Sequence, residues 1–366
     1  MKRDSGPDTT VFATVGAGIL GGVVFCAILM GVVMPRLRGT SALPPPPSAN
    51  LSFEEYNKRG NALYEQHLFK RAAVEYGHMI EKKPEAWDGY LLHGMAEEKL
   101  GDYKQAVRDN TEGLKHATLD EVREDLFFNR GLAYLYLGDY KASVADYNQV
   151  IALHPDNGNA YDHRAFDYAK LGEYDRAIAD YNVGIAHDPH PGTIFERGQA
   201  YLRKKDYQAA LADLNRSIKV QSNFAPAYIA RAETYNGLKQ YDRAAADAET
   251  AARLDNSATN RGNLGWYQYL AGKLPESIAS EQMAINMDSS LTFARFNIGL
   301  CYAVQGNTDA AQAAYNDALT HAKPAEVQGA IQDIQEALQK QPNAPALTKA
   351  KTMLQNALPH PFSKTS

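Results

Sequence analysis

A period of about 34 residues constrains this chain more than any other feature. Small residues recur at Gly60, Gly94, Gly131, Ala165, Gly198, Ala232, Gly265 and Gly299, at steps of 34, 37, 34, 33, 34, 33 and 34 residues. Twelve residues after each stands a second small residue: Ala72, Ala106, Ser143, Ala177, Ala210, Ala244, Ser277 and Ala311. Two phase-locked small columns let paired backbones approach closely, and a repeat of this length builds a solenoid.

Each unit reads as two helices. In residues 124–155 an apolar-rich helix is predicted to run to about Leu137, with a turn at Gly138-Asp139. A second helix is predicted from near Lys141 to just before Pro155, because proline cannot continue a helix and biases its predecessor away from the helical region. The same turn recurs at Leu100 to Tyr103 and at Leu171 to Tyr174. So short a turn makes the helices antiparallel, and the two small columns are expected to face each other. The one long step, 37 residues, predicts an insertion near Thr118 to Glu121.

These columns resemble the tetratricopeptide repeat. That family pairs a first-helix Gly with a second-helix Ala, an aromatic three residues after the Gly, and a terminal Pro. Here the aromatic is Tyr134, Tyr168, Tyr201, Tyr235 and Tyr302, and the proline is Pro84, Pro155 and Pro189. Glu97 and Gln268 depart from the aromatic column, and Thr118, Ser222, Asn256, Ser289 and Lys323 from the proline column. The resemblance covers residues 53–323 as eight repeats and implies an all-α, right-handed solenoid.

It also implies a groove, lined by the first helices, that takes an extended peptide or a partner helix. The groove residues so implied are Leu91, Met95, Phe128, Leu132 and Tyr136 in repeats 2 and 3, and Trp266, Tyr269, Phe296 and Leu300 in repeats 7 and 8. Asn263 and Asn297 stand alongside and can bind a peptide backbone with both donor and acceptor. The alternative is that these side chains pack on the adjacent helix, since apolar stripes at helical spacing are usually core. The family's chaperone-binding clamp of lysines and asparagines is broken. Asn61 fits it, but Asn57, Leu92 and Asp125 stand where a lysine, an asparagine and a lysine belong.

Residues 11–34 carry no charge across 24 positions. As a helix they reach about 36 Å, enough for a bilayer core of about 30 Å. A cleaved signal peptide has a shorter apolar region and a small-residue cleavage site, so an uncleaved transmembrane helix is expected after the short tail 1–10. Gly16 to Gly21 matches a dinucleotide-binding pattern, but no strand–helix–strand unit can be built around it. Gly18 and Gly22 suit close helix packing, which offers a route to self-association. Residues 35–52 form a linker stiffened by Pro44 to Pro47. Lys2 and Arg3 precede the span, while Arg36 and Arg38 follow it. The count is tied, and a short basic tail tends to stay cytoplasmic. The expectation is a bacterial inner-membrane protein with a periplasmic solenoid; a cytoplasmic solenoid is the alternative.

After Lys323 the period is lost. Residues 325–340 are amphipathic and a second short helix is predicted from about Pro345 to Leu358, so residues 324–358 read as capping helices and 359–366 as a frayed tail.

One charge pattern is systematic. A basic residue precedes the small first-helix residue, and an acid stands sixteen later. The pairs are Arg59 with Glu75, His93 with Asp109, Arg130 with Asp146, Arg164 with Asp180, Arg197 with Asp213, and Arg231 with Asp247. In the last two repeats both members change together, to Leu264 with Ser280 and Ile298 with Ala314. Co-variation within the chain predicts ion pairs; a ligand-binding arginine ladder is the alternative. The remaining Asp and Glu read as solvated helix faces.

Net charge is −5 and gives no basic footprint for nucleic acid. Cys26 and Cys301 have no Cys-x-x-Cys context, and His187 with His190 lacks further metal ligands. No catalytic constellation, cofactor or metal site is expected. The sequence reads as a membrane-anchored scaffold for protein partners; the alternative is an accessory subunit that presents substrates to a separate enzyme or a secretion or assembly machine.

Overall fold

The computed structural model describes residues 51–358. The apolar segment 11–34 with its glycines, the proline-rich stretch to residue 50 and the tail from 359 lie outside the described residues. Among the described residues there are eighteen helices and no strand, and no helix is long and apolar enough to cross a membrane.

The described chain divides into two compact units, residues 51–204 and 205–358, with the break inside the fifth repeat. The first unit holds α1 (Phe53–Glu65), α2 (Phe69–Lys82), α3 (Trp87–Leu100), α4 (Tyr103–His116), α5 (Asp120–Leu137), α6 (Tyr140–Leu153), α7 (Gly158–Lys170), α8 (Tyr174–His187) and α9 (Pro191–Arg203). The second holds α10 (Tyr207–Val220), α11 (Ala225–Gly237), α12 (Tyr241–Leu254), α13 (Ala258–Leu270), α14 (Leu274–Met287), α15 (Thr292–Val304), α16 (Thr308–Leu319), α17 (Pro324–Lys340) and α18 (Pro345–Ala357). Within each unit the helices pair as antiparallel hairpins, and each second helix packs on the next first helix.

The predicted turn is built as its residues dictate. Gly101 and Gly138 take left-handed φ values of 83° and 76°, a conformation that costs glycine little. Asp102 and Asp139 then cap the following helices, each carboxylate accepting the amide three residues on. His67, Lys205 and Lys239 fill the glycine's column in three other repeats and still adopt positive φ, so the turn imposes its shape on residues that resist it. The predicted insertion is absorbed as extra N-terminal length in α5, which has 18 residues against 14 for α3.

The packing of the small columns differs in one respect from the expectation. The space that Gly60, Gly94, Gly131, Gly265 and Gly299 leave is filled chiefly by the residue sixteen later rather than twelve. A Cβ on Gly60 would lie 2.4 Å from the Tyr76 ring, and one on Gly299 would lie 2.8 Å from Tyr315. The residue at twelve sits beneath this contact; Ser143 Oγ donates to the Gly131 carbonyl at 2.8 Å. Tyr76, Tyr147 and Tyr315 are almost wholly buried, so this column supplies the core of the repeats that carry it.

A candidate partner-binding face

The ion-pair column sets the frame. Arg130 and Arg164 grip Asp146 and Asp180 through paired Nε and Nη2 hydrogen bonds of 2.7–2.8 Å, and Arg231 grips Asp247 through two of 2.7 Å. Arg59 reaches Glu75 at 2.9 Å and His93 meets Asp109 at 2.7 Å. The Asp146 hydrogen bonds hold the Arg130 guanidinium charged, above its ordinary pKa. Arg197 and Asp213 belong to different units.

A third bond from these arginines was not foreseen from the sequence. Arg164 Nη1 donates to Asn148 Oδ1, Arg197 Nη1 to Asn182 Oδ1, and Arg231 Nη1 to Asn215 Oδ1, each at 2.7 Å. Arg130 Nη1 uses Thr111 Oγ1 in the same way at 3.1 Å. Each acceptor stands two residues after the previous repeat's acid, so the arginine ties one repeat to the next. An Asp-x-Asn string followed by an arginine fifteen or sixteen residues after the Asn is the signal that could have revealed it. Arg164 also lies 5.3 Å and 5.8 Å from the Tyr161 and Tyr168 ring centres, and Arg231 lies similarly between Tyr228 and Tyr235. With every edge of the guanidinium engaged, these arginines serve the stack rather than a ligand.

Not every acid is solvated, contrary to the expectation. Asp162, Asp167 and Glu196 are buried in the first unit, and burial pushes their carboxyls up to about 7, about 8 and about 7. Thr193 Oγ1 donates to Asp162 at 2.9 Å and opposes the rise. His163, stacked on Tyr147 at 5.4 Å, is wholly buried and is driven down to about 4. In the second unit Glu281 takes the aromatic's place against Gly265 and accepts a 2.7 Å bond from Asn297.

The predicted groove residues divide sharply. In the first unit, Leu91 packs with Val122 and Leu126 in the core, with Met95 at its edge. Phe128 stands edge-on to Tyr147 at 5.5 Å and to His163 at 5.3 Å, and is half-buried. Leu132 is half-buried, as is Tyr136, whose ring stacks on Tyr103 at 4.5 Å. Asn61 is committed locally: it donates to Asn57 and accepts from the Tyr76 hydroxyl, both at 2.8 Å.

In the second unit the outcome is different. Phe296 and Leu300 are 5 % and 2 % exposed, and Asn297 is buried on Glu281. Trp266 and Tyr269, 5.3 Å apart, pack against the same cluster, while Asn263 stays half-buried. The covering surface comes from α17 and α18, through Val327, Ile331, Ile334 and Leu347. Phe296 and Leu300 are thus core residues here, buried by the C-terminal helices, and Asn297 is buried with its amide on Glu281. Phe296→Ala is accordingly expected to lower unfolding free energy by about 3–5 kcal/mol, read by urea titration.

Cys301 is buried 3.3 Å from Ser277 Oγ, and burial pushes its thiol up to about 12, as suits an unreactive core residue. His190 caps α9 by accepting the Gly192 amide. Among the described residues no group of three His, Cys, Asp or Glu side chains could hold a metal ion.

Both units are stacks of helical-hairpin repeats with a periodic core, and the first unit adds a periodic ion pair that the second keeps only at Arg231 and Asp247. The repeats are tetratricopeptide repeats: that family matches residues 124–157, 164–228, 225–257 and 293–323. A 93-residue stretch is 31% identical to the small glutamine-rich tetratricopeptide repeat-containing protein 2 of Saccharomyces cerevisiae, covering 25% of this chain and 27% of that protein. The chain therefore spans about a quarter of the curated relative it matches. Two solved structures share the fold. A tetratricopeptide repeat protein from Parabacteroides merdae is 17% identical with a TM-score of 0.52, covering 68% of this chain and 98% of its own. The C-terminal part of a repeat-containing protein from Cytophaga hutchinsonii is 15% identical with a TM-score of 0.54, covering 68% and 99%. Proteins built from such repeats generally act as scaffolds for protein interaction.

Proposed function

We propose that this chain is a membrane-anchored scaffold that binds protein partners on the first-helix face of repeats 2 and 3. The observation that carries the reading is the half-buried row Met95, Phe128, Leu132 and Tyr136 on α3 and α5, backed by the Tyr103 ring stacked on Tyr136 and the Tyr147 ring edge-on to Phe128. Aromatic and aliphatic side chains so placed are the usual anchors of an interface. A partner that offers apolar side chains on an extended peptide or helix fits them. Leu132→Asp is expected to abolish capture of partners cross-linked to the native protein, at unchanged circular dichroism. Retained capture would remove this face from consideration.

Residues 11–34 would supply the anchor, with the repeats on the far side of the membrane from the N-terminus, which in a bacterium is the periplasm. Close packing at Gly18 and Gly22 would let two anchors associate. A phosphatase fused after Ser366 is expected to be active. An inactive phosphatase together with a fluorescent cytoplasmic reporter would reverse the orientation.

A further inference from the structure

The last two helices do not continue the stack in the order of the repeats. After each second helix, the following helix packs on it as the next first helix. At the C-terminal end it is α18, not α17, that takes this place against α16, while α17 packs on α15 and α18. Helix α17 therefore lies on the side of the first helices. Two contacts trace its path. Val327, Ile331 and Ile334 pack in one cluster with Phe296 and Leu300 of repeat 8, against which Trp266 and Tyr269 of repeat 7 also pack. Lys340, at the far end, sits 6.0 Å above the ring of Tyr241, where the second helix of repeat 6 begins. Seventeen residues of helix reach about 25 Å, and here they run back along the stack rather than outward from it.

We propose that the first-helix groove of repeats 6 to 8 is a helix-binding groove closed in cis by residues 324–340, and that a partner enters it by displacing this helix with an amphipathic helix of the same pattern. The inference deepens the scaffold reading and rests on it. The occupant's chemistry is written in α17 itself: aliphatic residues at 327, 331, 334 and 338, a carboxylate at 333 and a cation at 340. This is the i, i+4, i+7 anchor spacing by which helices are held in grooves. Glu326 caps the N-terminus of this segment from within by accepting the Lys323 amide at 2.7 Å.

The test uses the full chain in detergent with Trp87→Phe, which leaves Trp266 as the single indole. Adding Ile331→Asp and Ile334→Asp is expected to red-shift Trp266 emission and raise its quenching by acrylamide. A synthetic peptide of residues 324–340 then restores the blue emission saturably, and has no effect on the chain with an intact α17. Absence of restoration, or an equal response from the intact chain, overturns the proposal. Hydrogen exchange of the unaltered chain supplies an independent measurement: amides of 324–340 are expected to open before those of 292–319. Equal protection of the two segments makes α17 an integral part of the stack and likewise overturns it. Neither readout depends on partner capture by repeats 2 and 3, so the scaffold reading and the cis helix fail separately.

Discussion

Thermal and urea stability of this protein should fall as pH rises from about 5 to about 8, by an amount on the order of 3 kcal/mol. The cause is the buried carboxyls of the first unit. Asp162, Asp167 and Glu196 hold their protons up to about 7, about 8 and about 7 because burial disfavours the anion. In the unfolded chain such groups titrate near pH 4. A raised acid contributes stability that is fully present below the unfolded value and is lost as pH climbs through the folded one. Each can contribute a slope of up to about 1.4 kcal/mol per pH unit inside that window. His163 has the opposite sign. Its folded value of about 4 lies below the unfolded one, so its contribution is present above about pH 6.5 and fades on acidification. Three carboxyls outweigh the His163 imidazole between the two limits, and above about pH 6.5 His163 no longer opposes them. Asp333 in the second unit, pushed up to about 7 by burial, adds to the same trend. Asp167→Asn should remove about one carboxyl's share of the slope. An unaltered slope in that variant would show that Asp167 is already ionised in the folded protein.

The second large effect is expected at Arg164. Its substitution by alanine should cost about 3–5 kcal/mol, because Asp180 would remain buried without its two charge-assisted bonds. The side chains are only 16% and 10% exposed, so water cannot replace what is lost. The change also strips Asn148 of its donor and empties the gap between Tyr161 and Tyr168. A double-mutant cycle with Asp180→Ala should give a coupling on the order of 2 kcal/mol. Arg176 with Glu173 provides the control. That pair is 67% and 42% exposed, and breaking it should cost less than about 1 kcal/mol. A coupling at Arg164 no greater than the control's would demote the buried column to decoration.

What could be read from the sequence was whatever repeats. The glycine and alanine columns gave the helix pairs, and the Gly-Asp-Tyr turns gave their ends to within a few residues. The arginine column could be paired because both members vanish together at Leu264 with Ser280 and at Ile298 with Ala314. A periodic signal reports on contacts within and between equivalent repeats. It carries no information about a segment that occurs once. Helix α17 is amphipathic in any arrangement, and its pattern does not say whether it extends the stack or folds back on the first helices. The placement of Phe296 and Leu300 in the core therefore depended on a neighbour outside the repeats. The buried acids were illegible for a related reason. Asp162 and Glu196 are of the same residue types as the acids on the surface, and only the packing of α7, α8 and α9 removes them from water. The break between residues 204 and 205 falls inside a repeat whose sequence is in phase with the rest. Nothing in the columns marks it.

The exchange of places between the last two helices also bears on assembly. An open stack ends in an apolar seat made for one more first helix, and identical copies joined at such seats would grow head to tail without closure. Here α18 fills the seat against α16 with Leu347 and Leu354, and it turns Thr348, Lys349, Gln355 and Asn356 to solvent. The C-terminal side of the second unit therefore presents the polar face of α18 where an open stack would present an apolar seat.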